Sequence, residues 1–138
     1  MRAAIVLHPI DAPALLAEVA SDANGASTLF VGTVRNVNRG RPVTGIEYSA
    51  YERMATAELE RILAEAAETF PGVDVVVEHR IGTLALGEAS VIVATAHAHR
   101  TAALDAQRYV VEELKKRVPV WKREHYTDGT RDWVGAAS

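Results

Sequence analysis

The sequence predicts an α+β fold built on a mainly antiparallel or mixed sheet, and three observations carry that expectation. Segments with the period-two alternation of strands recur along the chain. Two of them, at residues 27–35 and 43–51, flank a short polar loop and read as a hairpin-like pair. Stretches of helical spacing fall between groups of strands, which makes a doubly wound parallel sheet the poorer fit. The helix expected over residues 53–69 still permits one crossover between strands, so a mixed sheet stays open.

Taken in order, residues 3–7 read as a first strand. Asp11 then offers an N-cap, and Pro13 needs no N–H partner in the first turn of a helix running to about residue 20. Residues 21–25 form a polar loop. The strand at 27–35 carries Leu29, Val31, Thr33 and Arg35 on one face and Phe30, Gly32, Val34 and Asn36 on the other, and apolar residues on both faces predict that it is covered. Residues 36–42 are rich in turn formers and read as loop. The 53–69 helix presents Met54, Ala57, Ile62, Leu63 and Ala66 as its apolar stripe and stops at Phe70-Pro71-Gly72. Val73, Val75, Val77, His79 and Ile81 alternate with Asp74, Glu78 and Arg80, predicting a strand with one wet face and a structural role for His79. Residues 82–87 read as a turn region and 90–98 as a central strand. The last helix, 101–117, is expected to be capped by Thr101, to bury Ala103, Ala106, Val110 and Leu114, and to end where Pro119 disfavours helical geometry at Val118. Asp128-Gly129 marks a turn in the tail, and Trp133 an aromatic anchor.

The 138 residues fit one domain, expected to span residues 1–138, with enough apolar content to fold without a metal or disulfide staple. Cysteine is absent, which removes disulfides, thiolate metal sites and a cysteine nucleophile; any sulfur chemistry needs sulfur from elsewhere. His8-Pro9 and Asp11 interrupt the N-terminal apolar run, and no run approaches the ~20 apolar residues of a membrane span, so a cytoplasmic protein is expected. With 15 Lys and Arg against 18 Asp and Glu, the net charge of −3 argues against general nucleic-acid binding and leaves room for a local basic pocket.

Residues 90–124 hold such a concentration: His97, His99, Arg100, Lys115, Lys116, Arg117, Lys122 and Arg123. Arg100 stands where a strand meets a helix N-terminus, whose free N–H groups and dipole favour an anion, and His99 can donate to that anion or shuttle a proton. The alternative is that both simply cap the sheet edge. His97 and His99 share a strand face, but no third ligand follows at a recognisable spacing, so neither metal nor other cofactor is expected. Of the loop arginines 35, 39 and 41, Arg35 is the better anion ligand because it ends a strand.

The basic residues ending the last helix suit its dipole regardless of function. Glu112 lies four before Lys116 and Glu113 four before Arg117, so both are expected to be ion-paired, whereas Lys115 has Val111 at that position. Lys115 is therefore expected beside an apolar surface shared with Leu104 and Val111, partly desolvated. A free lysine amine is neutral in only about one part in a thousand near neutral pH, so burial or cationic neighbours must supply about 4 kcal/mol for it to act as a base or nucleophile. Lys122 lies beyond Pro119, which can turn the chain back toward the same pocket.

The segments 30–36, 48–54, His79-Arg80-Ile81-Gly82, Gly87-Glu88, Ala98-His99-Arg100, Leu114-Lys115 and 119–124, followed by Asp128-Gly129 and Trp133-Val134, together resemble the large, catalytic subunit of molybdopterin synthase, the MoaE family. The resemblance covers residues 28–134 in order. It implies an α/β-hammerhead type of fold and a homodimer within a heterotetramer, each end bearing a small ubiquitin-like sulfur carrier (MoaD-like). It further implies transfer of two sulfurs from the carrier's C-terminal thiocarboxylate to cyclic pyranopterin monophosphate, forming the molybdopterin dithiolene. Carried over by position, Lys115 and Lys122 are the catalytic pair; Thr33, Val34, Arg35, His99, Arg100, Arg123 and Glu124 join them in contacting substrate, and Phe30 lines the carrier's tail beside Arg35, Lys115 and Lys122. Some members carry a longer basic C-terminal tail that reaches the pocket, whereas this chain stops at Ser138. Two other classes stay open from the residues alone: a non-catalytic module for a phosphorylated small molecule or protein tail, and, against the acidic balance, a single-strand nucleic-acid binder.

Overall fold

The structure is a computed structural model and describes residues 1–136. Its elements run β1 (Arg2–Val6), α1 (Ala12–Val19), β2 (Ala26–Thr33), β3 (Val37–Asn38), β4 (Arg41–Ala50), α2 (Glu52–Thr69), β5 (Asp74–Arg80), β6 (Gly82–Ala85), β7 (Ala89–His97), α3 (Arg100–Arg117), β8 (Val120–Tyr126) and β9 (Arg131–Ala136). The α+β architecture and the mixed sheet are as expected: β1 and β5 are parallel, and every other described pairing is antiparallel.

One sheet has the order β1-β5-β7-β2 and the other β3-β4-β8-β9. Gly45 to Tyr48 of β4 pair with both β6 and β8, so β4 is an interior strand there. The expected hairpin of residues 27–35 with 43–51 does not form, because β2 pairs with β7 and β4 belongs to the other sheet. The intervening segment is not all loop: Val37 and Asn38 pair with β4 across a tight turn at Arg39 and Gly40, both with positive φ (49° and 79°). Residues 82–85, expected as turn, form β6.

The helices begin and end largely as their sequences dictate. The Asp11 side chain accepts from the Ala14 N–H at 3.1 Å and caps α1. α2 buries Ala55, Leu59, Ile62, Leu63 and Ala66, a stripe at helical spacing. Met54, assigned to that stripe from the sequence, is 61% exposed. Complete burial of Leu59 and Ile62 stabilises the packing of α2 by about 1.5–3 kcal/mol each. α3 starts one residue before its expected cap: His99 occupies the N-cap, without a side-chain hydrogen bond, and Thr101 is already helical.

α2 and α3 lie on one face of the first sheet, over Val75, Val77, Val91 and Val93, while α1 lies on the other, over Val76, Ile92, Ala94 and Ala96. β5 is thus covered on both faces, and the predicted wet face is largely lost: Val76 and Glu78 are buried, and Asp74 and Arg80 are half-buried. β2 departs in the opposite sense. It is an edge strand, and Leu29 and Val31 on it are 38% and 40% exposed.

Candidate active site

A cleft of about 320 Å³ opens between the two sheets at the C-terminal end of α3. Register brings its walls together. Lys122 and Glu124 of β8 lie opposite Tyr48 and Ile46 of β4, and the period-two pleat aims all four the same way. On the first sheet, His79 is opposite Val91, which in turn is opposite Gly32. The pairing then slips, because Gly32 faces Val91 but Thr33 faces Ala89, leaving Ser90 as a bulge beside the cleft. A Cβ on Gly32 would stand 2.9 Å from the Val91 side chain, which accounts for glycine at this strand position.

Of the residues singled out in the sequence, Thr33, Arg35, Lys115, Lys122 and Glu124 line this cleft together. Phe30 flanks it, with the Lys115 ammonium 5.8 Å from its ring centre. Three cations from three separate segments thus converge: Arg35 after β2, Lys115 on α3 and Lys122 on β8. Lys115 has no carboxylate within salt-bridge distance among the described residues, as its sequence spacing implied, but it is exposed; the expected desolvation is not found. Its apolar neighbour is the Phe30 face, and Leu104 is itself exposed. Arg117 binds Glu58, Glu65 and Glu113, tying α3 to α2. Lys116 pairs with Glu113, not with Glu112, which pairs with Arg108.

Glu124 is 1% exposed, and its carboxylate is held by donors: Asn38 Nδ2 at 2.7 Å and Tyr126 Oη at 2.9 Å, both on Oε2. Its Oε1 stands 3.6 Å from the Lys122 ammonium, so a fixed carboxylate orients that lysine toward the cleft. Hydrogen bonding to Glu124 also raises the Tyr126 phenol above its usual range.

Four of the sequence candidates lie elsewhere within the chain. Val34 is a core residue, its N–H on the Glu88 carbonyl. Arg123 points to the opposite face of β8, where Glu47 accepts from it at 2.7 Å and Trp133 stacks on it at 5.0 Å. His99 and Arg100 begin α3, whereas Lys115 stands fifteen residues along it, about 22 Å away by helical rise. Both are exposed. His97 is locked by two bonds, accepting from the His99 N–H at Nδ1 and bonding the Pro71 carbonyl at Nε2, each at 3.0 Å. Arg41 bonds Asp128 and Asp132 and stacks on Tyr126, a structural role.

The sequence reading missed the floor of the cleft. Tyr48, His79 and Ser90 are all buried and line it. Burial pushes the His79 imidazole down to about 4, against the opposing effect of its bond to the Arg80 carbonyl. Burial likewise raises the Tyr48 phenol, so both rings are neutral at neutral pH. The available signal was a histidine at a core position of the alternation, immediately before Arg80-Ile81-Gly82.

An uncharged floor lies beneath a rim of three cations, one of them beside the buried Glu124 carboxylate; the arrangement has the chemistry to hold an anionic small molecule, and it sits in the fold of known molybdopterin synthase structures. Molybdopterin synthase from Staphylococcus aureus superposes with a TM-score of 0.91 at 34% identity, covering 96% of each chain. The MoaE protein of molybdopterin biosynthesis from Burkholderia ambifaria does so at 0.85 and 36%, over 99% of this chain and 90% of that one. The chain belongs to the MoaE protein family, which matches residues 5–117. Molybdopterin synthase catalytic subunits similar to it include those of Bacillus subtilis, 40% identical over 97% of this chain and 85% of that protein, and Pyrococcus abyssi, 45% identical over 86% and 80%. Among the described residues no helix is long and apolar enough to cross a membrane.

Proposed function

We propose that this chain is the catalytic subunit of a molybdopterin synthase, a sulfurtransferase of molybdenum cofactor biosynthesis acting in the cytoplasm as one domain. It takes sulfur from the C-terminal thiocarboxylate of a small ubiquitin-like carrier and places two sulfurs on cyclic pyranopterin monophosphate. The observation that carries this reading is the convergence of Arg35, Lys115 and Lys122 on one cleft, with Phe30 beside Lys115 to flank an extended peptide tail.

In each round the thiocarboxylate sulfur forms a bond to a substrate carbon as a carbon–oxygen bond at that carbon breaks. Water then breaks the bond between that sulfur and the carrier's acyl carbon, and the carrier leaves with a carboxylate. In one round the departing oxygen belongs to the cyclic phosphate, which opens to a monoester, and in the other it leaves as water and needs a proton. Lys115, exposed and without a carboxylate partner among the described residues, delivers that proton and stabilises developing negative charge. Lys122, held by Glu124, adds a fixed positive charge, and Arg35 grips the phosphate. The cysteine-free chain needs no thiol of its own.

The anion seat at His99 and Arg100 belongs to this scheme through a second copy. β2 offers an unpaired edge, with Leu29 and Val31 exposed beside it. Antiparallel pairing of two β2 strands about their middle sets Ala26 of one copy against Thr33 of the other. Ala26 is the register partner of His97, so the second copy's His99 and Arg100 come toward the first copy's cleft. The test of the whole reading mixes the protein with a thiocarboxylated carrier and the precursor and looks for dithiolene product by mass spectrometry. Absence of product with the wild-type chain favours a non-catalytic binding module.

A further inference from the structure

The scheme above leaves the buried floor without a task. His79 is 4% exposed, and its ring orientation is fixed: Nδ1 lies 3.0 Å from the Arg80 carbonyl oxygen, an acceptor only. Nδ1 therefore carries the proton and donates, so Nε2 keeps a free lone pair. That nitrogen has no protein partner among the described residues, nor is it one of the fully sealed atoms; the ring lines the cleft. Tyr48 meets the imidazole edge to face, with ring centres 5.5 Å apart and planes at 72°.

We propose that His79 is a specificity-determining residue whose Nε2 accepts a hydrogen bond from a ring N–H of the substrate's pterin, with Tyr48 as the wall against that ring. The inference rests on the pterin substrate proposed above and adds how it is oriented. A phosphate driven to this floor would lose its water and meet the lone pairs of a neutral imidazole, an arrangement without compensation. A flat, uncharged heterocycle with N–H donors meets an acceptor already turned toward it. The phosphate end then stays at the mouth with Arg35, Lys115 and Lys122. The cleft is thus divided by chemistry into a neutral reading end and a cationic reacting end.

His79→Asn is the sharpest test, since the shorter amide can still donate toward the Arg80 carbonyl but places no acceptor at the Nε2 position. Binding of a neutral pterin, followed by its fluorescence, and of inorganic phosphate are measured alongside KM and kcat for the precursor. In H79N the pterin Kd and the precursor KM rise roughly tenfold, while phosphate affinity and kcat change little. His79→Gln, whose amide oxygen reaches the Nε2 region, recovers part of the loss. Unchanged pterin affinity in H79N, or equal losses for pterin and phosphate, overturns the proposal. A second measurement needs no variant. In the wild-type chain labelled with 15N-histidine, the unprotonated Nε2 resonance of His79 shifts on adding pterin and stays in place with phosphate; a resonance that ignores pterin refutes the contact. A wild-type chain that binds pterin through His79 and yields no product would sink the sulfurtransferase reading alone.

Discussion

Acid titration of stability isolates His79. Its imidazole protonates near 4 in the folded chain and near 6.5 when unfolded, so the unfolded state binds the proton more readily. The stability linked to this group is complete above pH 6.5, falls as the pH drops, and levels off below 4. The full gap corresponds to about 3 kcal/mol, of which about 2 kcal/mol is lost by pH 5. Carboxylates titrate mostly below that window, and the remaining groups are common to a variant without the imidazole. Urea unfolding of the wild type and His79→Asn, followed by far-ultraviolet circular dichroism between about pH 7 and pH 5, reads the difference directly. The wild type should lose about 2 kcal/mol more than the variant across that range. Parallel losses in the two chains would refute the claim that burial holds His79 neutral.

Three further outcomes follow from the site and its assembly. Lys115→Ala should lower the rate of product formation at least ~100-fold while shifting stability by no more than about 0.5 kcal/mol, because the side chain is exposed and has no ion-pair partner among the described residues; a near-wild-type rate would remove it from the chemistry. Glu124→Ala deprives Asn38 and Tyr126 of their acceptor and should cost about 2–4 kcal/mol in urea unfolding, whereas Glu124→Gln, which keeps an amide oxygen there, should cost less. Lys115→Ala and Arg100→Ala chains, each inactive alone, should regain about a quarter of wild-type activity after subunit exchange, since half the dimers are mixed and each mixed dimer has one intact site. No recovery would mean that the two residues do not share a site across copies.

Local order was legible wherever near neighbours decide it. The Asp11 cap, the Pro119 stop and the apolar stripe of α3 all follow from contacts within a few residues, and all are present. Strand partners were not legible. The segments around Phe30 and Tyr48 look like two arms of a hairpin, yet each pairs with a strand some forty residues or more away, which alternation alone cannot encode. β5 misled for a related reason: Glu78 is polar, but Arg2 bonds it at 2.7 Å, so a charged position became a buried one. The cleft was half legible. Lys115 stood out by lacking a carboxylate one turn back, and Lys122 by following a proline turn. His79 was read as structural because a histidine on a core face usually is; only the fold shows that this core face ends at a cleft.

The uncovered edge of β2 has a consequence for how the molecule behaves in dilution. An eight-residue strand with free N–H and C=O groups, next to exposed Leu29 and Val31, is an adhesive surface for any other unpaired strand. If a second copy covers it, stability is drawn partly from mass action: the melting temperature rises with protein concentration, and dilution or truncation of the pairing exposes a template for misassociation. Colloidal behaviour and catalytic competence are then governed by the same strand.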